Sequence, residues 1–214
     1  MNDDSRPVPA SPCDETALRA LYPAIPERSR LKELDRLDEH CRHFISLSPF
    51  LVIGSSRAGQ GMDVSPRGDA PGFVRVLDDR TLAIPDRPGN NRLDTLSNLL
   101  AGAEVGLLFM VPGLEEMVRV NGTASLSRDP QLLEGSMVMG KLPRMMIMIA
   151  VREVFYHCSK AAKRARLWQD DYRVDPKSVP SLGRILVEQA KLQGKMTVEE
   201  ADAAVERSYK QNLY

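Results

Sequence analysis

Short apolar segments, closely spaced between turn-forming residues, fill the middle of the chain and limit what it can fold into. They are residues 50–56, 73–77, 81–85, 104–111, 116–126 and 144–158. The segments at 73–77 and 81–85 alternate in polarity around Asp78-Asp79, which predicts a hairpin. Six or seven strands at this spacing, with few long helices between them, predict an antiparallel barrel or sandwich.

The ends of the chain have helical rather than strand periodicity. Helices are predicted at residues 15–22, 29–44, 182–192 and 197–210. Ser181 is the expected N-cap of the third helix, and a Thr197–Glu200 capping box opens the fourth. We expect an N-terminal helical extension over residues 1–46, a β-rich core over 47–170 and a C-terminal helical tail over 171–214.

Several local expectations concern the β-rich core. Residues 62–65 are predicted to return as a hairpin partner of the first strand, and residues 66–72 to form a loop. Asn121-Gly122 lies inside a predicted strand and indicates either a β-bulge or a close backbone approach. Asn91 is the expected cap of a short helix over residues 92–101.

Composition excludes several classes of protein. The 29 basic and 29 acidic residues give a net charge of zero, which argues against a nucleic-acid binder or a polybasic membrane anchor. The apolar runs are far shorter than the roughly 20 residues that span a bilayer. Three cysteines argue against a disulfide framework. We therefore expect a cytoplasmic protein.

The segment Asp86-Arg-Pro-Gly-Asn-Asn-Arg92 carries the residue types that bind phosphate, at the junction of a strand and a helix. Arginine provides forked, permanently charged donors, glycine allows close backbone approach, and a helix N-terminus adds partial positive charge. Asp94 opposes this interpretation because it competes with an anion for the same amides. A phosphate site and a solvated helix cap both fit the segment.

Other chemistry-bearing residues allow two interpretations each. Ser65-Pro-Arg-Gly-Asp69 is either a solvated connection or a shelf for a planar cofactor, with Arg67 supplying positive charge. Arg119 and Glu153 each interrupt an apolar strand, and they lie either on an open sheet face or in a buried pair. His40 and His43 share a helix, but no further ligands cluster at zinc spacing, so no metal site is predicted.

The order of these segments resembles the pyridoxamine 5′-phosphate oxidase-like superfamily. The similarity spans residues 25–170, and the branch it resembles most comprises FMN-dependent proteins with an N-terminal helical extension. The segments that carry it are Ser48-Pro-Phe50, Asp63-Val-Ser-Pro-Arg-Gly-Asp69, Leu82-Ala-Ile-Pro-Asp-Arg-Pro-Gly-Asn-Asn-Arg92, Gly106-Leu-Leu-Phe109 and Arg119-Val-Asn-Gly122.

The resemblance implies a split β-barrel that forms a homodimer, with FMN bound at the subunit interface. It assigns the FMN phosphate to four residues, Arg87, Asn90, Asn91 and Arg92. It assigns contacts to the flavin ring to two segments, Val64, Ser65, Pro66 and Arg67, and Ala83, Ile84 and Pro85. Lys160 and Trp168 are further cofactor-binding candidates late in the chain.

The resemblance supports a cofactor better than a reaction. The namesake oxidase has an arginine and histidine pattern near its C-terminus for the substrate phosphate, and that pattern is absent here. We expect an FMN-dependent oxidoreductase acting on an unidentified small molecule, and we predict no catalytic residue. The alternatives are a flavin carrier or sensor without turnover, and a split barrel that binds haem or a deazaflavin.

Overall fold

The computed structural model describes residues 14–57, 59, 61–100, 102 and 104–214. It divides into two compact units, one ending at Lys32 and the other running from Glu33 to Tyr214. The first unit contains two short helices, α1 (Glu15–Ala20) and α2 (Glu27–Arg30). The Asp14 side chain caps α1 by accepting a hydrogen bond from the Ala17 backbone N–H.

The second unit is built on one antiparallel sheet. Its strands are β1 (Glu33–Leu34), β2 (Phe50–Arg57), β3 (Gly61–Gly68), β4 (Arg75–Val76), β5 (Thr81–Pro85), β6 (Glu104–Met110), β7 (Met117–Ser127) and β8 (Met146–His157). The strand order is β3-β2-β6-β7-β8-β5-β4, and β1 also pairs with β8. This confirms the mainly β split barrel, with eight strands where six or seven were predicted. The sequence did not indicate β1, and only two residues of the predicted strand 73–77 form β4.

Helices connect and flank the strands of this unit. They are α3 (Glu39–Leu47), α4 (Asp94–Leu100), α5 (Pro130–Glu134), α6 (Lys160–Ala165), α7 (Leu182–Gln189) and α8 (Val198–Gln211), with 3-10 turns at Asp170–Tyr172 and Pro176–Ser178. Ser181 caps α7, and both hydrogen bonds of the Thr197–Glu200 capping box are present, as predicted. No helix of the described residues is long and apolar enough to cross a bilayer.

Alternate residues of the strands form the core. Leu51 and Ile53 of β2, Leu107 and Phe109 of β6, and Val120 of β7 are essentially inaccessible to solvent. Helix α3 adds Cys41, Phe44 and Ile45 to the same cluster. Burying side chains of this size contributes about 1.5–3 kcal/mol each, so the period-two alternation fixes which face of every strand turns inward.

The predicted helix over residues 29–44 is wrong. Leu34 belongs to β1 and pairs with Val154 of β8, and the Leu37 backbone N–H donates to the carbonyl of Asp79. The helix begins only at Glu39, where the Asp38 side chain accepts from the Cys41 backbone N–H. Strand pairing with β8 therefore overrides the local helical periodicity.

The predicted loop over residues 66–72 is also partly wrong. Strand β3 continues through Pro66 and Arg67 to Gly68, and Pro66 pairs with Val52 of β2. A proline is tolerated there because β3 is an edge strand, with one neighbour in the sheet.

The bulge predicted at Asn121-Gly122 is present as a register shift between β7 and β8. A Cβ atom at Gly122 would lie 2.1 Å from the carbonyl oxygen of Ala150. Only glycine fits so close to the backbone of β8.

Candidate cofactor-binding site

Strand β3 has two faces with different environments. Ser65 and Arg67 alternate toward a cleft beside the segment that follows β5, whereas Val64 and Pro66 are exposed on the other side. The four residues predicted at the flavin ring therefore divide into two pairs. One pair faces the cleft and the other faces the outer surface of the sheet.

The cleft has a volume of about 130 Å³. It is lined by Ser65, Arg67, Asp86, Arg87, Pro88, Gly89, Asn90, Asn91, Leu93, Asp94, Thr95 and Arg144. Three of these side chains are guanidinium groups and two are carboxylates, so the lining carries a net positive charge. Such a lining suits an anionic group with several oxygen atoms.

Two of the arginines are fixed by carboxylates. Arg67 Nη1 lies 2.8 Å from Asp86 Oδ1, and Arg87 Nε lies 2.7 Å from Asp69 Oδ2. The Arg67 Nε atom is buried, and no group of the described chain accepts a hydrogen bond from it. A buried charged donor without an acceptor is unusual in a folded protein, and an oxyanion in the cleft is a suitable acceptor.

Asp69 is the more deeply buried of the two carboxylates. Burial acts to raise the pKa of Asp69. Hydrogen bonds from the Ala70 backbone, the Tyr214 hydroxyl and Arg87 outweigh burial and hold this pKa below its usual value. The Tyr214 hydroxyl donates to Asp69 Oδ1 at 2.8 Å, and its ring lies beneath the Arg87 guanidinium. Arg87 is therefore held in place from two sides.

The loop between β5 and α4 is shaped by its two asparagines. Asn90 Oδ1 accepts a hydrogen bond from the Arg92 backbone N–H at 3.0 Å. Asn91 has a φ of 58° and Leu93 a φ of 62°, which is the left-handed region. Asparagine tolerates this region better than most residues. Helix α4 begins at Asp94 rather than at Arg92.

Arg92, one of the four residues predicted at the phosphate, does not line the cleft. Its side chain is 71% exposed, and its Nε atom lies 2.7 Å from Asp94 Oδ2. The structure thus brings Arg87, Asn90 and Asn91 together and leaves Arg92 at the rim. Asp94, which was expected to compete with an anion for the backbone amides, pairs with the Arg92 side chain.

The predicted ring contacts in β5 lie in the interior. Ala83 and Ile84 are fully buried, and Pro85 is buried beside them. Ile84 packs in the main core, whereas Ala83 packs with Leu133 and Met146 in a smaller cluster. Their side chains do not line the cleft.

Lys160 and Trp168 lie apart from the cleft in this chain. Lys160 is exposed at the start of α6, after the far end of β8. The Trp168 indole N–H donates to the carbonyl of Leu114 at 2.7 Å, in the turn between β6 and β7. Neither side chain lines the cleft that contains Arg67 and Arg87.

Sequence reasoning missed Arg144, Thr95 and Asp63. Arg144 joins the lining from the segment before β8, where it looked like the polar edge of an apolar run. The buried Thr95 hydroxyl donates to Asp63 Oδ2 at 2.7 Å, and the Ser65 hydroxyl reaches the same carboxylate at 3.1 Å. Single polar residues at the ends of predicted elements gave no signal that could have identified this network.

Arg119 and Glu153 form an ion pair on the outward face of the sheet, and the Asn121 amide also donates to Glu153. The pair is partly exposed, so it is an open-face pair rather than a buried one. Around it lie apolar side chains of β2, β6, β7 and β8. We call Phe50, Val52, Leu108, Met110, Met117 and Phe155 the outer apolar face. Among the described residues, no group of three or more His, Cys, Asp or Glu side chains is placed to hold a metal ion.

Several solved structures have a partly similar fold. Group A Streptococcus HupZ is 15% identical, with a TM-score of 0.46 over 56% of this chain and 93% of that one. A putative pyridoxamine 5′-phosphate oxidase from Lactobacillus delbrueckii is 21% identical, with a TM-score of 0.44 over 58% and 98%. The FAD binding protein from Mycobacterium smegmatis is 16% identical, with a TM-score of 0.40 over 58% and 97%.

Sequence similarity identifies a protein family for this chain. No curated protein matches it. Residues 37–158 match the family described as pyridoxamine 5′-phosphate oxidase, which is more than half of the chain. The matched segment includes β2 to β8 and every residue that lines the cleft. The chain therefore belongs to the pyridoxamine 5′-phosphate oxidase family.

Proposed function

We propose that this protein is an FMN-binding flavoprotein that acts as an FMN-dependent oxidoreductase on a small molecule. The observation that carries the proposal is the arginine-lined cleft, in which Arg67 Nε is buried without an acceptor in the described chain. Membership of the pyridoxamine 5′-phosphate oxidase family supports a flavin as the occupant. Three cysteines in 214 residues argue against a disulfide framework, which favours the cytoplasm as its location.

The residues of the cleft fit a phosphate monoester. Arg67, Arg87 and Arg144 would neutralise its charge, and Asn90 and Asn91 would orient its oxygens through side-chain and backbone donors. A bound flavin supplies the hydride or electron transfer, and the protein supplies its orientation and surrounding charge. The Asp69 and Asp86 carboxylates hold two of the three arginines in position before the ligand arrives.

We further propose that the protein is a homodimer and that the flavin lies at the subunit interface. The outer apolar face is a partly exposed patch of the kind that marks protein contacts. Its Arg119–Glu153 pair offers both charges side by side, which suits a two-fold contact with the same pair on a second copy. Val64 and Pro66 of the edge strand lie on the same side of the sheet as this face, since Pro66 pairs with Val52. In such a dimer, Lys160 and Trp168 of the partner subunit would complete the site.

Arg144 provides the sharpest test of the cleft. Its side chain is exposed, and no described carboxylate pairs with it, so removing it leaves no orphaned charge. Arg144→Ala should weaken FMN binding by about 1.5–3 kcal/mol, the contribution of a charge-assisted hydrogen bond. Quenching of FMN fluorescence during titration measures the affinity, and Arg128→Ala, an exposed arginine outside the cleft, is the matched control.

Two results would contradict the proposal. Wild-type protein that is colourless and takes up no added FMN would exclude a flavin site. Equal losses of affinity in Arg144→Ala and Arg128→Ala would move the site away from the cleft. Stopped-flow reduction with NADH and NADPH then separates an oxidoreductase from a carrier, because a carrier's flavin would be reduced no faster than free FMN.

A further inference from the structure

A second cleft lies on the other side of Arg87 from the first. Its volume is about 170 Å³. It lies between the segment that joins β3 to β4 and the turn that follows α5. It is lined by Asp69, Ala70, Pro71, Gly72, Phe73, Arg75, Arg87, Gly135, Ser136, Met137 and Val138. Neither the family resemblance nor the proposed flavin site assigns a role to Arg75 or Ser136.

Two polar side chains in this cleft have unsatisfied hydrogen-bonding groups. Arg75 Nη1 is buried, and no group of the described chain accepts a hydrogen bond from it. Ser136 is only 8% exposed, and its hydroxyl likewise has no partner in the described chain. Buried polar groups are nearly always hydrogen-bonded. Two such groups on one small cleft therefore indicate a ligand that accepts from both.

The turn after α5 is shaped to admit the Arg75 guanidinium. A Cβ atom at Gly135 would lie 2.4 Å from Arg75 Nη1 and 3.1 Å from its Cζ atom. The φ of Gly135 is −66°, which every residue type can adopt. Glycine at this position is thus explained by the room that the guanidinium needs and not by the backbone conformation.

The charges in the second cleft do not balance. Arg75 and Arg87 are its cationic lining residues, and Asp69 is its anionic one. Asp69 already accepts hydrogen bonds from Arg87, from the Tyr214 hydroxyl and from the Ala70 backbone. No described carboxylate lies within salt-bridge distance of Arg75. The cleft therefore carries one guanidinium charge that the described chain leaves uncompensated.

We propose that Arg75 and Ser136 form a second anion-binding site, which takes the phosphate or carboxylate group of a small molecule. A guanidinium N–H and a hydroxyl donate together to two oxygens of such a group, and Arg87 lies at the boundary with the first cleft. The site needs no flavin. If the proposed flavin fills the first cleft, the anion belongs to a substrate bound beside it, a step that rests on the proposed function.

Ser136→Ala and Gly135→Ala test the site without removing a charge. The first deletes the hydroxyl, and the second displaces the flexible end of Arg75. Protein without flavin is titrated at low millimolar concentration with inorganic phosphate, and separately with acetate, at matched ionic strength. The midpoint of thermal unfolding reports anion binding. Each variant should weaken the affinity for the anion about tenfold, which corresponds to the loss of one charge-assisted hydrogen bond. Ser125→Ala, an exposed serine of β7, should retain the wild-type affinity and corrects for general salt effects.

Arg75→Gln should abolish the part of the anion-dependent stabilisation that Ser136→Ala weakens, whereas Arg207→Gln on the exposed face of α8 should leave the stabilisation unchanged. Any phosphate bound in the first cleft is recognised separately, because Arg144→Ala weakens that contribution and Arg75→Gln does not. A response to phosphate alone identifies a phosphate site, and a response to acetate as well identifies a general oxyanion site. The proposal is overturned if Ser136→Ala and Gly135→Ala respond to both anions as the wild type does. That result would leave the flavin proposal intact, because neither residue lines the first cleft.

Discussion

The three arginines of the first cleft differ in whether their removal would leave a carboxylate without its partner. Arg67 and Arg87 hold buried or nearly buried carboxylates, so truncating either one would leave an unpaired charge and would test stability as much as binding. Arg144 has no such partner. Among the three arginines, Arg144 therefore separates ligand binding from folding most cleanly.

The buried hydroxyl of Thr95 joins α4 to β3 through Asp63. Thr95→Val keeps the volume but removes the donor, and it should lower the free energy of unfolding by about 1–3 kcal/mol because the part-buried carboxylate loses a partner. Urea denaturation measures the change. Thr123→Val at an exposed position of β7 is the control, and an equal effect of both substitutions would show that the Thr95 hydrogen bond contributes nothing.

The Cys41 thiol predicts how stability depends on alkaline pH. Burial, with help from the neighbouring Asp38, raises the pKa of Cys41 from 9.0 to about 12. The folded thiol therefore keeps its proton where the unfolded thiol loses it. Its stabilising contribution is complete below pH 9 and is lost as the pH rises from 9 toward 12.

As the pH rises from 9 toward 12, we expect the free energy of unfolding to fall more steeply for the wild type than for Cys41→Ala. Urea denaturation at a series of pH values measures both slopes. Parallel profiles for the wild type and Cys41→Ala would show that this thiol does not contribute.

At the scale of elements, the positions of β3 and β8 determine where the first cleft forms. Strand β3 is an edge strand, so one of its sides is open to the segment that follows β5. The ion pair between Arg67 and Asp86 joins these two elements, which are far apart in the strand order. Strand β8 pairs with both β5 and β7, and the register shift at Asn121-Gly122 interrupts its pairing with β7. The cleft therefore depends on sheet pairing as well as on its own loop.

Gly122→Ala tests the bulge. The added methyl group would collide with the backbone of β8 at Ala150, and we expect a loss of about 1–3 kcal/mol or more in the free energy of unfolding. Gly89→Ala is the matched control, because a Cβ atom there has nothing within 4 Å and φ is not positive. Stability of Gly122→Ala equal to that of Gly89→Ala would contradict the described contact between β7 and β8.

At the scale of the whole molecule, the proposed dimer links the outer apolar face to cofactor binding. Leu108→Glu places a charge in the middle of that face, beside Val52 and Arg119. We expect it to shift the protein from dimer to monomer, and to lower FMN affinity if the partner subunit completes the site. Sedimentation velocity at micromolar concentration measures the first effect, and FMN titration measures the second.

Leu100→Glu is the control for that substitution, since Leu100 is an exposed leucine at the end of α4 and away from the outer apolar face. It should remain dimeric. Wild-type protein that sediments only as a monomer would contradict the interface, and a monomeric Leu108→Glu variant with unchanged FMN affinity would place the whole site within one chain.

Local sequence patterns were sufficient to predict the class of fold, because period-two alternation and turn residues depend on neighbours along the chain. They also predicted an irregularity at Asn121-Gly122 and the caps of the last two helices, and they singled out the segment at Asp86–Arg92 as a phosphate-binding candidate. The folded chain was needed to show that residues 33–34 pair with β8, that Arg92 lies at the rim, and that Arg144 and Thr95 join the cleft. These outcomes depend on strand pairing and on side chains that are distant in sequence, and local patterns contain no information about either.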